Sequence, residues 1–156
     1  AMLLNLMKYF SIPANKPPYT MVFVLFAGEE AGLLGSEYYT THPKKDLQKI
    51  KFLLNLDLMG TGEDGMMVVN GSIFEKEFAL LEKINSEKNL LKTIGKRGKA
   101  QNSDHYYFTE KGVPAFFFYT TGGRTAYHNI YDDGNGLPLT KFKEVFLLIS
   151  TFIKAI

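Results

Sequence analysis

Two adjacent glutamates, Glu29 and Glu30, stand where the apolar run MVFVLFA, Met21 to Ala27, gives way through Gly28 to a segment with helical features. A run so rich in aromatic and β-branched residues predicts a strand covered on both faces. Acids that end such a strand lie at the carboxyl edge of a sheet, where open α/β folds bind their ligands. Neighbouring side chains diverge, so one glutamate can hold a metal while the other moves protons. Acids that open a helix to suit its dipole fit the same two residues.

Three further positions add chemistry. Asp57 ends the apolar run FLLNLDLMG. A buried aspartate needs a partner, and at a strand end that partner is either a cation or the amides of a loop before Gly60. In NSDHYYF, Asp104 and His105 fall at a predicted helix start, where Ser103 or Asp104 can serve as a simple cap. In TAYHNIYDD, His128 follows Tyr127 in a loop, a place that also suits an ordinary surface histidine. His42 has only a surface reading. Taken together, Glu29 and Glu30, Asp57 and His128 each lie just past a strand and can converge at one sheet edge. Two carboxylates and an imidazole suit a divalent metal, zinc first. A carboxylate left over beside them is what metal-assisted hydrolysis requires.

The elements that must position these residues alternate. Helices are predicted over Leu3 to Phe10, Leu33 to Thr41, Ile73 to Lys88, Ser103 to Lys111 and Leu139 to Ile156. Strands are predicted over Met21 to Ala27, Lys51 to Leu58, Met66 to Asn70 and Pro114 to Tyr119. Phe74, Phe78, Leu81 and Ile84 recur at helical spacing, as do Phe142, Val145, Phe146, Ile149 and Ile153. Ser11 to Tyr19, with three prolines, reads as a linker. This order implies one three-layer α/β/α domain with a mainly parallel, mixed sheet.

Composition narrows the classes. A chain of 156 residues fits a single domain. The net charge is +2, with lysines and acids mixed along the chain. The basic patch Lys92 to Lys99, with Arg97, reads as a solvated loop and not as a nucleic-acid surface. No apolar stretch is long enough to span a bilayer, and Met2 to Phe10 lacks the features of a signal peptide. Cysteine is absent, which excludes disulfides and thiolate metal sites.

The segments FAGEEAGLLGSEYY, NLDLMG, NSDHYYFTEKGVPAFFF and YHNIYDD, in that order, resemble the zinc aminopeptidases of the M28 type. The resemblance covers Tyr19 to about Ile156. It implies a zinc-exopeptidase-like fold and a metal-dependent hydrolase that releases N-terminal residues from peptides. It implies that Glu29 is the general base acting on the attacking water. Glu30 and His128 correspond to ligands of one zinc, Asp57 to a ligand of another, and Asp104 to an acid beside the site that is not itself a ligand. Tyr127 is the candidate for substrate contact, and the Gly122 to Tyr127 loop and the Tyr106–Tyr107 pair are candidates for a pocket wall, although core packing explains these aromatics equally well. For the full-length parent the resemblance suggests an extracytoplasmic place.

The chain also departs from that pattern. Such enzymes carry a histidine-x-aspartate motif and a metal-bridging aspartate upstream of the glutamate pair, and here neither histidine nor aspartate precedes Glu29. Residues 1–156 are therefore expected to be a truncated M28-like domain without the family's N-terminal strands. Such a chain would hold one zinc weakly or none, and would have little activity alone. An uncovered strand edge predicts a homo-oligomer through the N-terminal third, with Leu3 to Phe10 free to swap between copies. Two other classes fit the same residues: a single-zinc acyltransferase resembling glutaminyl cyclases, and a non-catalytic binding or assembly module.

Overall fold

The computed structural model describes residues 1–123, 126–134 and 136–156. Four strands form one sheet: β1 (Leu53–Leu56), β2 (Gly65–Val69), β3 (Ile94–Lys96) and β4 (Ala115–Thr121). Their spatial order is β1-β4-β2-β3. β1 runs parallel to β4 and β2 parallel to β3, while β2 and β4 are antiparallel. The sheet is mixed, as the alternation of segments predicts.

Side chains alternate across β4, and that alternation builds the two outer layers. Phe116 and Phe118 point into the larger core, with Met66 and Val68 of β2. Three helices cover this face: α1 (Met2–Ser11), α3 (Glu75–Lys88) and α5 (Phe142–Ala155). Their buried residues recur at helical spacing: Met2, Leu6 and Phe10 in α1; Phe78, Leu81 and Ile84 in α3; Val145, Leu148, Ile149 and Phe152 in α5. On the other face, Phe117 packs against the ring of His105. Here α2 (Leu34–Thr41) and α4 (His105–Glu110) cover the sheet. A smaller core of Leu47, Phe108 and Val113 lies under them, with Phe26 and Tyr39 packed against it.

Three sequence expectations need correction. Met21 to Ala27 is not a strand and pairs with no strand among the described residues. It runs extended past the sheet, with Met21 and Phe23 packed on the larger core and Phe26 on the smaller one. Val22 and Leu25 face outward. Apolar content alone does not make a strand, because the backbone also needs a neighbour to complete a ladder. The segment Lys92 to Lys99 is not a loop throughout, since it contains β3. Its cations are engaged: Lys92 lies 3.9 Å from Asp64 and Lys96 3.7 Å from Glu75. Lys99 pairs with Glu110, and Arg97 donates to the Tyr119 hydroxyl at 3.0 Å. Nor is α1 free. The Tyr9 ring meets Phe146 edge-on, and Lys154 donates to the Tyr9 hydroxyl at 2.8 Å. Among the described residues no helix is long and apolar enough to cross a membrane.

Candidate active site

Glu29 and Glu30 sit in a turn that closes on itself ahead of α2. The Leu33 and Gly32 amides donate to the Glu29 carbonyl at 2.8 and 3.0 Å. The Leu34 amide donates to Gly28 and the Gly35 amide to Ala27, at 3.1 and 3.0 Å. The approach is close enough to dictate residue type. A Cβ at Gly35 would stand 2.4 Å from the Ala27 carbonyl oxygen, so only glycine fits there. The spacing of Gly28, Glu29, Glu30 and Gly35 is thus one local unit, and it aims the acids without help from a strand.

Asp57 follows β1 directly, and its amide still donates to Phe118 at 3.2 Å. Leu58 then turns into the left-handed region at φ 53°. Its carbonyl accepts from the Thr120 amide at 3.1 Å and the Thr120 hydroxyl at 2.7 Å. The Asp57 carboxylate accepts from the Ser103 hydroxyl at 3.2 Å, and Ser103 in turn accepts from Asn55 at 2.7 Å. Ser103 is buried and spends its proton on Asp57. Neither it nor Asp104 caps α4 through a side chain. The capping explanation for Ser103 therefore fails. Sequence reasoning missed Ser103 and Asn55 as a carboxylate-orienting relay; the signal was a polar residue inside an apolar strand, LLNL.

His128 lies in the loop after β4. Both stems of that loop are held by the segment that follows Asp57. The Asp64 amide donates to Thr121 at 3.1 Å, and the Leu139 amide to Gly60 at 3.0 Å. The Glu63 carboxylate accepts from the Thr140 hydroxyl at 2.5 Å and the Gly62 amide at 3.1 Å. The Thr140 hydroxyl is the main reason the Glu63 carboxyl titrates below its usual range. The predicted Gly122 to Tyr127 wall falls partly outside the described residues, at Arg124 and Thr125. The Tyr106 and Tyr107 rings meet edge-on. An open cleft of about 510 Å³ is lined by Glu30, Leu58, Tyr127, His128, Asn129, Ile130 and Asp132.

The ends of β1 and β4 and one turn thus meet at this edge. His128 Nε2 stands 3.5 Å from Glu30 Oε1. Burial raises the pKa of Glu29, and the charges of Asp57, Glu30 and Asp104 raise it further; His128 opposes them. Burial also raises Asp104, against a lowering contact with Ser36, and Asp57 adds to the rise. The Tyr127 hydroxyl is shifted up by partial desolvation and by the charges of Asp57, Glu30, Glu29 and Asp132. One edge therefore collects several carboxylates that raise one another's affinity for positive charge. The residues fit a divalent metal in part. Glu30 and His128 offer an oxygen and a nitrogen that need only small movement to share an ion at ~2 Å from each. Among the described residues, however, no three His, Asp or Glu side chains come together closely enough to hold one as they stand.

The sequence pattern of Peptidase family M28 matches residues 1–153, and the chain belongs to that family. It is 32% identical over 124 residues to a probable leucine aminopeptidase of Trichophyton verrucosum, covering 77% of this chain and 33% of that one. It is 31% identical to aminopeptidase YwaD of Bacillus subtilis, covering 69% of this chain and 24% of the relative. Among solved structures, BSAP, a zinc aminopeptidase from Bacillus subtilis, superposes with a TM-score of 0.68 at 23% identity, covering 83% of this chain and 34% of that one. The aminopeptidase from Aneurinibacillus sp. strain AM-1 gives the same TM-score at 22% identity, covering 84% and 32%. These structures share the fold. The chain spans about a third of the length of such relatives.

Proposed function

We propose that the protein is an aminopeptidase-type hydrolase and that the cleft beside Glu30 and His128 is its active site. The observation that carries this reading is the 3.5 Å approach of His128 to Glu30, with the proton-seeking Glu29 adjacent. Glu30 and His128 are the residues that would hold one zinc, and Asp57, oriented by Ser103, would hold a second. Bound zinc would supply Lewis acidity toward the scissile carbonyl of the peptide. Glu29 takes a proton from the attacking water and delivers it to the departing amine. Its raised pKa brings it closer to the operating range of such a base. Tyr127, at the cleft wall, donates its hydroxyl to the substrate. The free amino end of a peptide, a cation, finds its counter-charges among Glu29, Glu30 and Asp57. Asp104 tunes that field and binds neither metal nor substrate.

With two ligands for one ion and one for the other, this chain binds zinc weakly. A catalytic zinc ordinarily has three protein ligands and an open position. A homo-oligomer formed through the N-terminal third and an extracytoplasmic place of action belong to the same proposal. Its support for the first is outward-facing Val22 and Leu25, and for the second the family resemblance alone.

The test is turnover of aminoacyl and glutaminyl substrates by the zinc-loaded protein and by Glu29→Gln. Release of the amino-terminal residue, slow because zinc is held weakly and lowered a further ~10²- to 10⁴-fold by the substitution, is the expected result. Turnover of the glutaminyl substrate alone points to the cyclase class. Zinc binding without either activity points to a binding module.

A further inference from the structure

We propose that Asp132 is a positioning residue for His128: its carboxylate caps the loop that presents the imidazole to Glu30. The proposal rests on the reading of His128 as a metal ligand. His128 has φ 54°, in the left-handed region that residues with a Cβ seldom adopt. The Tyr127 ring packs on the imidazole with centroids 4.1 Å apart, while Ile130 and Tyr131 are 89% and 71% exposed. Hydrogen bonds act as well. The His128 amide donates to Asp132 Oδ2 at 3.0 Å. The Tyr131 amide donates to Asn129 Oδ1 at 2.9 Å, and the Asp132 amide to the Asn129 carbonyl at 2.9 Å. The segment from His128 to Asp132 is closed by these three bonds, and the one that reaches His128 has an ionised acceptor, the stronger kind. The sequence His-x-x-x-Asp thus places the cap four residues beyond the imidazole it orients.

Asp132 also lines the cleft, so its charge offers a competing role as a ligand in its own right. Asparagine separates the two, since its Oδ1 still accepts from the His128 amide but carries no charge. Zinc affinity is measured by competition with a chromogenic chelator for the protein and for Asp132→Ala, Asp132→Asn and His128→Ala. Partners outside the metal's own ligand set typically govern 10- to 100-fold in affinity. Asp132→Ala should weaken zinc by about that factor, and Asp132→Asn should stay close to the parent. A second readout needs no metal: exchange of the His128 amide proton should quicken in Asp132→Ala and not in Asp132→Asn. Equal losses in both variants would assign Asp132 as a ligand and overturn the proposal, as would an Asp132→Ala protein unchanged in zinc affinity and in amide exchange. If His128→Ala keeps full zinc affinity, the ligand reading fails, and the amide exchange alone decides whether Asp132 is the cap.

Discussion

β4 is hydrogen-bonded to β1 along one side and to β2 along the other, and its Phe116 and Phe118 are fully buried. Met21 to Ala27 is as apolar, yet it ladders with no strand among the described residues and leaves Val22 and Leu25 69% and 75% exposed. Each segment delivers its chain to the candidate site, and they do so by different means. β4 passes its direction to the His128 loop through a sheet. Met21 to Ala27 hands over to the Gly28–Gly35 turn, and that turn, bonded to itself, aims Glu29 and Glu30. A ligand edge can thus be assembled from sheet order on one side and local turn chemistry on the other.

The largest expected effect lies on the laddered side. Phe118→Ala removes a fully buried ring and should cost ~3–5 kcal/mol in denaturant unfolding. The same measurement on Leu25→Ala should show a change within about 0.5 kcal/mol, as for an exposed site. Comparable losses in the two variants would mean that Met21 to Ala27 is packed as a true strand in solution.

Next in size is the relay that orients Asp57. Ser103→Ala leaves Asn55 and Asp57 each short of a buried partner and should destabilise by ~1–3 kcal/mol. Ser103→Thr keeps the hydroxyl and should restore part of the loss. Unchanged stability in Ser103→Ala would show that Asp57 needs no help from α4.

His105 adds a pH dependence on the sheet's covered face. Its ring is buried with the Ser103 and Ala100 backbone nearby, and among the described residues neither nitrogen makes a hydrogen bond of good geometry. Burial pushes its pKa down to about 4. The unfolded chain, with an ordinary value near ~6.5, therefore takes the proton first. Stability contributed by the neutral ring is intact above that value and is lost as pH falls toward 4. Between pH 7 and pH 5 the loss should be about 2 kcal/mol. The raised carboxyls of Glu29 and Asp104 act in the opposite sense, so the difference between the protein and His105→Asn isolates the imidazole. Parallel stability curves for the two would rule the effect out.

The smallest effect concerns the unpaired segment. Val22→Lys with Leu25→Lys should hardly change folding stability but should shift sedimentation toward monomer. A parent protein that is already monomeric at micromolar concentration removes the basis for association through this segment.

Much of this was legible in the sequence. The periodicity of α3 and α5 and the apolar runs of β1, β2 and β4 gave the layers, because each reflects a buried face. Glu30 and His128, nearly a hundred positions apart, were matched by residue type and by their place after apolar runs. The rest was hidden for physical reasons. Three-residue β3 is too short and too basic to show a period. Met21 to Ala27 carries the composition of a strand, and composition does not report whether a neighbour exists. Ser103, Asn55 and Glu63 act through hydrogen bonds to partners far away in sequence, such as Asp57 for Ser103 and Thr140 for Glu63, which only the fold brings near.

The central claim is that Glu30 and His128 hold metal while Glu29 handles protons. Calorimetric titration of zinc into the protein and into Glu29→Gln, Glu30→Ala and His128→Ala tests it most directly. The account predicts weak zinc binding that survives Glu29→Gln and falls at least about tenfold, or 1.4 kcal/mol, in each of the other two. Zinc binding that is lost in Glu29→Gln and retained in Glu30→Ala and His128→Ala would contradict it.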